Sequence, residues 1–317
     1  MNNLINTVDA PSNSSGSTRL EILLFSLGYD KKTEREEVFG LNVFKIREVI
    51  QVPEITRAPD MPAGVQGLVS LRGQMIPVID MAHYCNMDIQ DPPTKLIVTE
   101  INNSIQGMLV NSVEQILRME WKDIKVPPPM MANRLGGLVT AVTELEDGRI
   151  VMILDVEKVL ADTSDMIDNE SLYDDVEHLN TDATIIFADD SVVARKQIAN
   201  TLDRMGVRYI GAKNGVEAWE KIQELADRAA ASHAPVYELL QAILVDVEMP
   251  GMDGYVLTKK IKSDNRLQGI PVILHSSLSA ETNITLGREV GADAYITKFD
   301  PKELAKQLTP LLTHKQA

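Results

Sequence analysis

Between residues 19 and 160, apolar residues fall in short runs at Leu20–Leu27, Val38–Val43, Gln74–Ile79, Lys95–Ile101, Leu138–Val142 and Arg149–Leu154. Gly, Asn, Asp and Pro separate most of them. Short runs bounded by turn formers predict strands, and several at this spacing predict β-barrels or a sandwich. Pro127, Pro128 and Pro129 exclude a helix there and favour an extended strap. One stretch repeats. Gly73-Gln-Met-Ile-Pro-Val-Ile-Asp80-Met81 is echoed by Gly148-Arg-Ile-Val-Met-Ile-Leu-Asp155-Val156. Each copy reads as a Gly turn, a buried strand, and an Asp set to cap a helix. Either two similar β-subdomains share one module, or two buried strands coincide in pattern.

From residue 184 the rhythm changes. Short β candidates at Thr184–Ala188, Tyr209–Ala212, Ala242–Val245, Val272–His275 and Ala294–Ile296 alternate with helical periodicity, as over Val192–Met205 and Val216–Leu225. Strands alternating with amphipathic helices predict a (βα)₅ open parallel sheet, whose chemistry lies at the carboxyl ends of the strands.

The segments outside these two patterns set the domain organisation. Residues 1–18, with PSNSSGST at 11–18, read as a flexible tail. Residues 161–183 hold eight acidic residues and no Lys or Arg, which predicts a solvated spacer with one helical turn around Asn169–His178. The acid run can alternatively bind a partner directly. The expected division is tail 1–18, first domain 19–160, linker 161–183 and second domain 184–317. A chain of 317 residues suits two domains of this size.

Composition narrows the function. With 44% hydrophobic and 24% charged residues the chain reads as soluble globular protein. The lone Cys85 excludes an internal disulfide and reads as a small buried hydrophobe in a reducing compartment. The amino terminus lacks the basic-then-apolar pattern of a signal peptide, and the apolar runs are too short to span a bilayer, so a cytoplasmic location is expected. The net charge of −15 leaves neither half with a basic excess: residues 1–160 carry 21 acids and 15 bases, and 184–317 carry 17 and 16. Binding to duplex nucleic acid needs a basic face, so a DNA-binding role is not expected.

The candidate chemistry lies in the second pattern. Its first strand ends in Asp189-Asp190-Ser191, its third in Asp246-Val-Glu248-Met-Pro250-Gly-Met-Asp253, its fourth in Ser276-Ser277 and its fifth at Lys298. Carboxylates gathered at one place repel unless a divalent cation lies among them, and oxygen ligands suit Mg²⁺. Asp246 then qualifies as a nucleophile that takes phosphoryl as an acyl phosphate, with Lys298 on the phosphoryl oxygens and a Ser276 hydroxyl that bonds the group once it arrives.

Residues 184–312 resemble the response-regulator receiver family, through FADDS, VDVEMPGMDG, PVILHSS and GADAYITK. The resemblance implies a flavodoxin-like α/β domain with Asp246 as phosphoacceptor. It makes Asp189 and Asp190 metal carboxylates, Ser276 the switch hydroxyl and Lys298 the phosphate-binding lysine. Tyr295 takes the aromatic switch position, and Glu248 the position offering a backbone carbonyl to the metal. Three departures stand out, one being that Lys298 is followed by Phe-Asp-Pro rather than directly by Pro. The step from Asp190 to Asp246 is about a dozen residues longer than the family's, within ADRAAASHAPVYELLQ, which predicts a lengthened helix or loop away from the chemistry. His275 lies inside the fourth strand, where packing is its expected role.

Residues 19–160 resemble the CheW family of chemotaxis coupling proteins, through FGLNVFKIREVI, GVQGLVSLRGQMIPVIDM and the weaker GRIVMILDVEKVL. That likeness implies an all-β double barrel without catalytic chemistry. It also implies a partner-binding turn at Leu71-Arg72-Gly73, where an exposed Arg can pair with a partner's carboxylate. Together the two halves are similar to the receiver-fused coupling proteins, the CheV family. This implies an adaptor between chemoreceptor signalling tips and the histidine kinase CheA, with Mg²⁺ as cofactor and Asp246 phosphorylated by the kinase. A phosphate sink that drains the kinase is the alternative. A phosphoaspartate hydrolase would need a base or metal set beyond the receiver's, and the sequence offers none.

Overall fold

The computed structural model describes residues 19–57, 61–62, 64–101, 104–132, 137–163, 170–276, 281–298 and 300–313. The expected tail at 1–18 lies outside the described residues. The chain divides into two compact units, Met1–Val156 and Glu157–Ala317.

The first unit is built from ten strands: β1 (Arg19–Asp30), β2 (Arg35–Asn42), β3 (Ile46–Gln51), β4 (Val65–Leu71), β5 (Gln74–Asp80), β6 (Lys95–Ile101), β7 (Ser104–Val110), β8 (Ser112–Glu120), β9 (Val139–Glu144) and β10 (Ile150–Leu154). Short helices α1 (Met81–Tyr84) and α2 (Pro129–Ala132) interrupt them, and α3 (Val156–Thr163) starts at the unit's last residue and otherwise belongs to the second unit. One sheet has the order β8-β1-β2-β10-β9 and the other β3-β6-β7-β5-β4. Each sheet curls until the chain just beyond its first edge strand bridges the last strand, through Lys125 to Val142 in one and Thr56 to Leu68 in the other. Curling until the edges meet removes the unpaired edges that a flat sheet would expose. Inside the first barrel lie Ile22, Leu24, Val38, Ile124, Ala141 and Val151; inside the second lie Val69, Ile76, Val78, Leu96, Val98 and Leu109. The all-β double barrel expected from sequence is thus present.

The echoed stretches occupy equivalent places. Strand β5 pairs antiparallel with β4 and parallel with β7, and β10 pairs antiparallel with β9 and parallel with β2. Gly73 and Gly148, each with φ of +84°, make the turns that open the two strands. Asp80 caps α1 through the His83 N–H at 3.0 Å. The Asp80 and Asp155 N–H groups donate to the Gly64 and Leu138 carbonyls at 2.9 and 2.8 Å. The prolines behave differently from expectation: Pro129 opens α2, because a missing N–H costs nothing at the first helical position.

The second unit alternates β11 (Thr184–Ala188), α4 (Val192–Met205), β12 (Arg208–Ala212), α5 (Gly215–Ala231), β13 (Ala242–Asp246), α6 (Gly254–Ser263), β14 (Val272–Ser276), α7 (Glu281–Glu289), β15 (Ala294–Thr297) and α8 (Pro301–Thr313). The five strands are parallel in the order β12-β11-β13-β14-β15, the flavodoxin-like arrangement. Apolar clusters fill both faces of the sheet: Ile186, Ile243, Val245 and Leu274 with α5 and α6 on one side, and Ile185, Phe187, Leu244 and Ile273 with α4 and α8 on the other. The inserted residues lengthen α5 and add a 3₁₀ turn at Val236–Glu238, with Ala229, Val236 and Leu240 buried in the first of these clusters.

The expectation of a solvated spacer fails over the described part of 161–183. Tyr173 is 5% exposed, and Leu179 and Ala183 join the cluster beneath α4 and α8, with Val176 packed against it. The Leu179 N–H donates to the Met205 carbonyl at 2.8 Å, and Lys302 pairs with Asp175 at 2.7 Å. Among the described residues, Asp174, Asp175, Glu177 and Asp182 are exposed on a strap whose apolar positions recur every three or four residues.

Candidate functional site

Parallel strands end on one side of the sheet, and there β11, β13, β14 and β15 deliver their polar residues together. Alternation along each strand sends Asp189, Asp246, His275 and Lys298 to the α4–α8 face, and Ser276 and Tyr295 to the opposite face. Lys298 Nζ lies 3.0 Å from Asp189 Oδ2 and 2.9 Å from Asp246 Oδ2, with all three side chains at most 2% exposed. Carboxylate oxygens of Asp189, Asp190 and Asp246 lie within 4.8 Å of one another. The second oxygens of the two buried acids are anchored by backbone: Asp189 Oδ1 accepts from the Ser191 N–H at 2.9 Å, and Asp246 Oδ1 from the Glu248 N–H at 3.1 Å. Arg195 Nη1 donates to the Asp189 and Asp190 carbonyls at 2.7 and 2.9 Å, which fixes the turn that carries both acids.

Burial pushes the Asp246 carboxyl up to about 6; the Asp189 charge adds to this and Lys298 opposes it. Burial likewise raises Asp189. For Lys298, burial alone would favour the neutral amine, but the charges of Asp189 and Asp246 outweigh it and hold the ammonium well above its usual range. Three carboxylates facing one ammonium leave a surplus of negative charge in a site of low dielectric, and every donor atom is an oxygen. That set fits a hard divalent cation such as Mg²⁺.

The other expected residues are in place around this cluster. Ser276 is fully buried and shares a hydrogen bond with Tyr295, which in turn shares one with Tyr255. Glu248 is 8% exposed, two residues beyond Asp246. His275 is buried, and burial followed by the Lys298 charge drops it to about 3, so it is neutral at ordinary pH, in keeping with packing. Cys85 is also buried, its thiol pushed up to about 12 by burial, which removes it as a nucleophile.

Two contributors were not read from sequence. Glu157 belongs to the second compact unit, is 2% exposed, and its charge raises Asp189, Asp246 and Lys298 alike. Tyr255 is the other. Neither stands out by residue type; both matter through residues distant in sequence.

The turn Leu71-Arg72-Gly73 joins β4 to β5 with φ of +50° at Arg72 and +84° at Gly73, the left-handed pair of a type I′ hairpin. Leu71 packs partly buried against the second barrel's core, while Arg72 and Gly73 are exposed. Arg72 Nη2 already has a carboxylate, Glu48 Oε2 of β3, at 2.9 Å. A partner's acid would therefore have to compete with Glu48.

Each unit matches a known family. The family model for the CheW-like domain matches residues 21–164, and that for the response regulator receiver domain matches 185–309. Chemotaxis protein CheV3 of Helicobacter pylori is 30% identical over 301 residues, covering 93% of this chain and 95% of its own. Chemotaxis protein CheV2 of the same organism is 27% identical over 98% of this chain and the whole of its own. Among solved structures, the scaffolding protein TtCheW of Thermoanaerobacter tengcongensis is 25% identical over 46% of this chain and 91% of its own, with a TM-score of 0.40. Both modules, in this order and over nearly the full length, place the chain in the CheV family of chemotaxis proteins.

Proposed function

We propose that this chemotaxis adaptor is regulated by phosphorylation of Asp246. In this reading the receiver takes phosphoryl from the histidine kinase CheA, and the double barrel couples that kinase to chemoreceptor tips through the turn at Leu71, Arg72 and Gly73. The adaptor is then cytoplasmic and attached to receptor arrays; among the described residues no helix is long and apolar enough to cross a membrane.

The observation that carries the reading is the sharing of one buried ammonium by Asp189 and Asp246. It sets one positive charge within hydrogen-bond range of both carboxylates. Asp189, Asp190, Asp246 and the Glu248 carbonyl would hold Mg²⁺, which when bound supplies positive charge against an anionic phosphoryl group. Asp246 Oδ attacks phosphorus, the bond from phosphorus to the donor's histidine nitrogen breaks, and its electron pair stays with the imidazole. Lys298 then exchanges its carboxylate partners for phosphoryl oxygens, and the Ser276 hydroxyl gains an acceptor. The pairing of Ser276 with Tyr295 favours a switch over a simple sink, since draining phosphoryl needs no such readout.

The test is labelling by phosphorylated kinase or acetyl phosphate, with Mg²⁺ and with EDTA. Label should appear only with Mg²⁺ and vanish in Asp246→Asn. Label that persists in Asp246→Asn, or equals the Mg²⁺ level in EDTA, sinks the proposal.

A further inference from the structure

Helix α6 begins against the end of β13. A Cβ on Gly254 would collide with the Asp246 carbonyl oxygen and stand 2.9 Å from Val247 Cα, and the Gly254 N–H donates to the Val247 carbonyl at 3.0 Å. Only glycine lets the helix approach the strand end this closely. The next residue, Tyr255, is therefore held at a fixed place beside the reacting strand. It is 5% exposed and belongs to the core on the α5–α6 face of the sheet, against which Tyr295 packs. Gly287 of α7 closes the other side: a Cβ there would lie 3.4 Å from Tyr295 Cδ2.

A buried phenol needs a hydrogen-bond partner, and the two phenols supply one another. Tyr255 bonds Tyr295, and Tyr295 bonds Ser276. Three hydroxyls thus run from α6 through β15 to the end of β14, across the strand from Asp246. Each hydroxyl has one proton to give and room to accept. If Ser276 gives its proton to a phosphoryl oxygen, the chain can run in a single direction. Tyr255 donates to the Tyr295 oxygen, Tyr295 to Ser276 Oγ, and Ser276 to phosphoryl, each bond polarising the next.

We infer that Tyr255 is a positioning residue of the switch, whose hydroxyl holds Tyr295 over Ser276 and thereby strengthens the bond from Ser276 to a phosphoryl group on Asp246. This rests on Asp246 being the phosphoacceptor. Tyr255 itself touches neither the phosphoryl group nor the metal. It acts through Tyr295.

The experiment uses the full chain carrying fluorotyrosine, with the Tyr295 resonance identified from Tyr295→Phe, and titrates beryllofluoride in Mg²⁺. Tyr255→Phe keeps the ring in the core and removes one hydroxyl. Its Tyr295 resonance should shift or broaden before any ligand is added, and half-saturation by beryllofluoride should rise about three- to tenfold, the worth of one hydrogen bond. In a Ser276→Ala background the same substitution should change half-saturation by less than about twofold, because the chain is already cut. An unchanged Tyr295 resonance in Tyr255→Phe overturns the positioning role. A shifted resonance with unchanged half-saturation, or a full effect that survives Ser276→Ala, overturns the link to phosphoryl. A parent chain that shows no Mg²⁺-dependent response to beryllofluoride overturns the phosphoacceptor reading instead.

Discussion

Arg72 in the first unit and Lys298 in the second each hold a carboxylate at 2.9 Å, yet they are different devices. The Arg72 side chain is 69% exposed, and water screens its pairing with Glu48. Lys298 is 2% exposed between two carboxylates that are fully buried. An exposed pair of this kind contributes about 0–1 kcal/mol. A buried charge contributes little net stability when paired but leaves a large penalty when its partner is removed. Equal distances therefore describe one residue that can leave its partner and one that cannot. The first suits recognition by exchange of partners. The second suits a site that waits for a replacement charge.

The sharpest way to break this contrast is to remove Lys298. Lys298→Met should destabilise the receiver by about 3–5 kcal/mol in EDTA at pH 7, because Asp189 and Asp246 then lack a counter-charge. Millimolar Mg²⁺ should restore much of that loss. Denaturant unfolding with and without the metal measures both, and a loss that ignores Mg²⁺ would mean the lysine acts by packing alone.

A second test uses the proton as the replacement charge. In the folded chain Asp246 keeps its proton up to about pH 6, against an ordinary value of 3.8. The folded state thus binds more protons between about pH 4 and 6, so this group's contribution to stability falls as pH rises through that window. In EDTA the fall should amount to roughly 3 kcal/mol, and Asp246→Asn should lack it. The difference between parent and variant unfolding profiles isolates the effect from other carboxylates. Parallel profiles would refute it.

The smallest effect belongs to the exposed pair. Arg72→Gly loses the Glu48 contact but relieves a left-handed backbone that disfavours any side chain. Thermal unfolding should change by less than about 0.5 kcal/mol, while capture of kinase or receptor fragments should weaken several-fold. A large loss of stability would make Arg72 a structural residue and erase the contrast.

How much of this was legible in sequence follows from burial. Strands such as β11 and β13 are covered on both faces, so their residues form unbroken apolar runs, and the four polar strand ends stand out against them. Strand β8 is a different case: most of Ser112–Glu120 is only partly buried or exposed, and its polar residues hid it. Strands β3 and β7 escaped for similar reasons of mixed polarity. The pairing of Arg72 with Glu48 spans 24 residues, and that of Tyr255 with Tyr295 spans two strands and a helix; local pattern carries no trace of either. The strap was readable and was outvoted. Tyr173, Val176, Leu179 and Ala183 keep a spacing of three and four, but eight acidic neighbours set the composition.

That strap bears on where the chain can be divided as well as on folding. A receiver starting at residue 184 would lack Leu179 and Ala183, two members of the buried cluster that also holds Leu202, Met205 and Leu308. At Gly206 the φ of +72° disfavours any side chain, and the His178 ring of the strap packs against it. A cut upstream of Tyr173 would leave the receiver with its own cladding, whereas a cut at the first strand would strip it. The packed unit is thus longer than the strand-and-helix pattern that begins at residue 184.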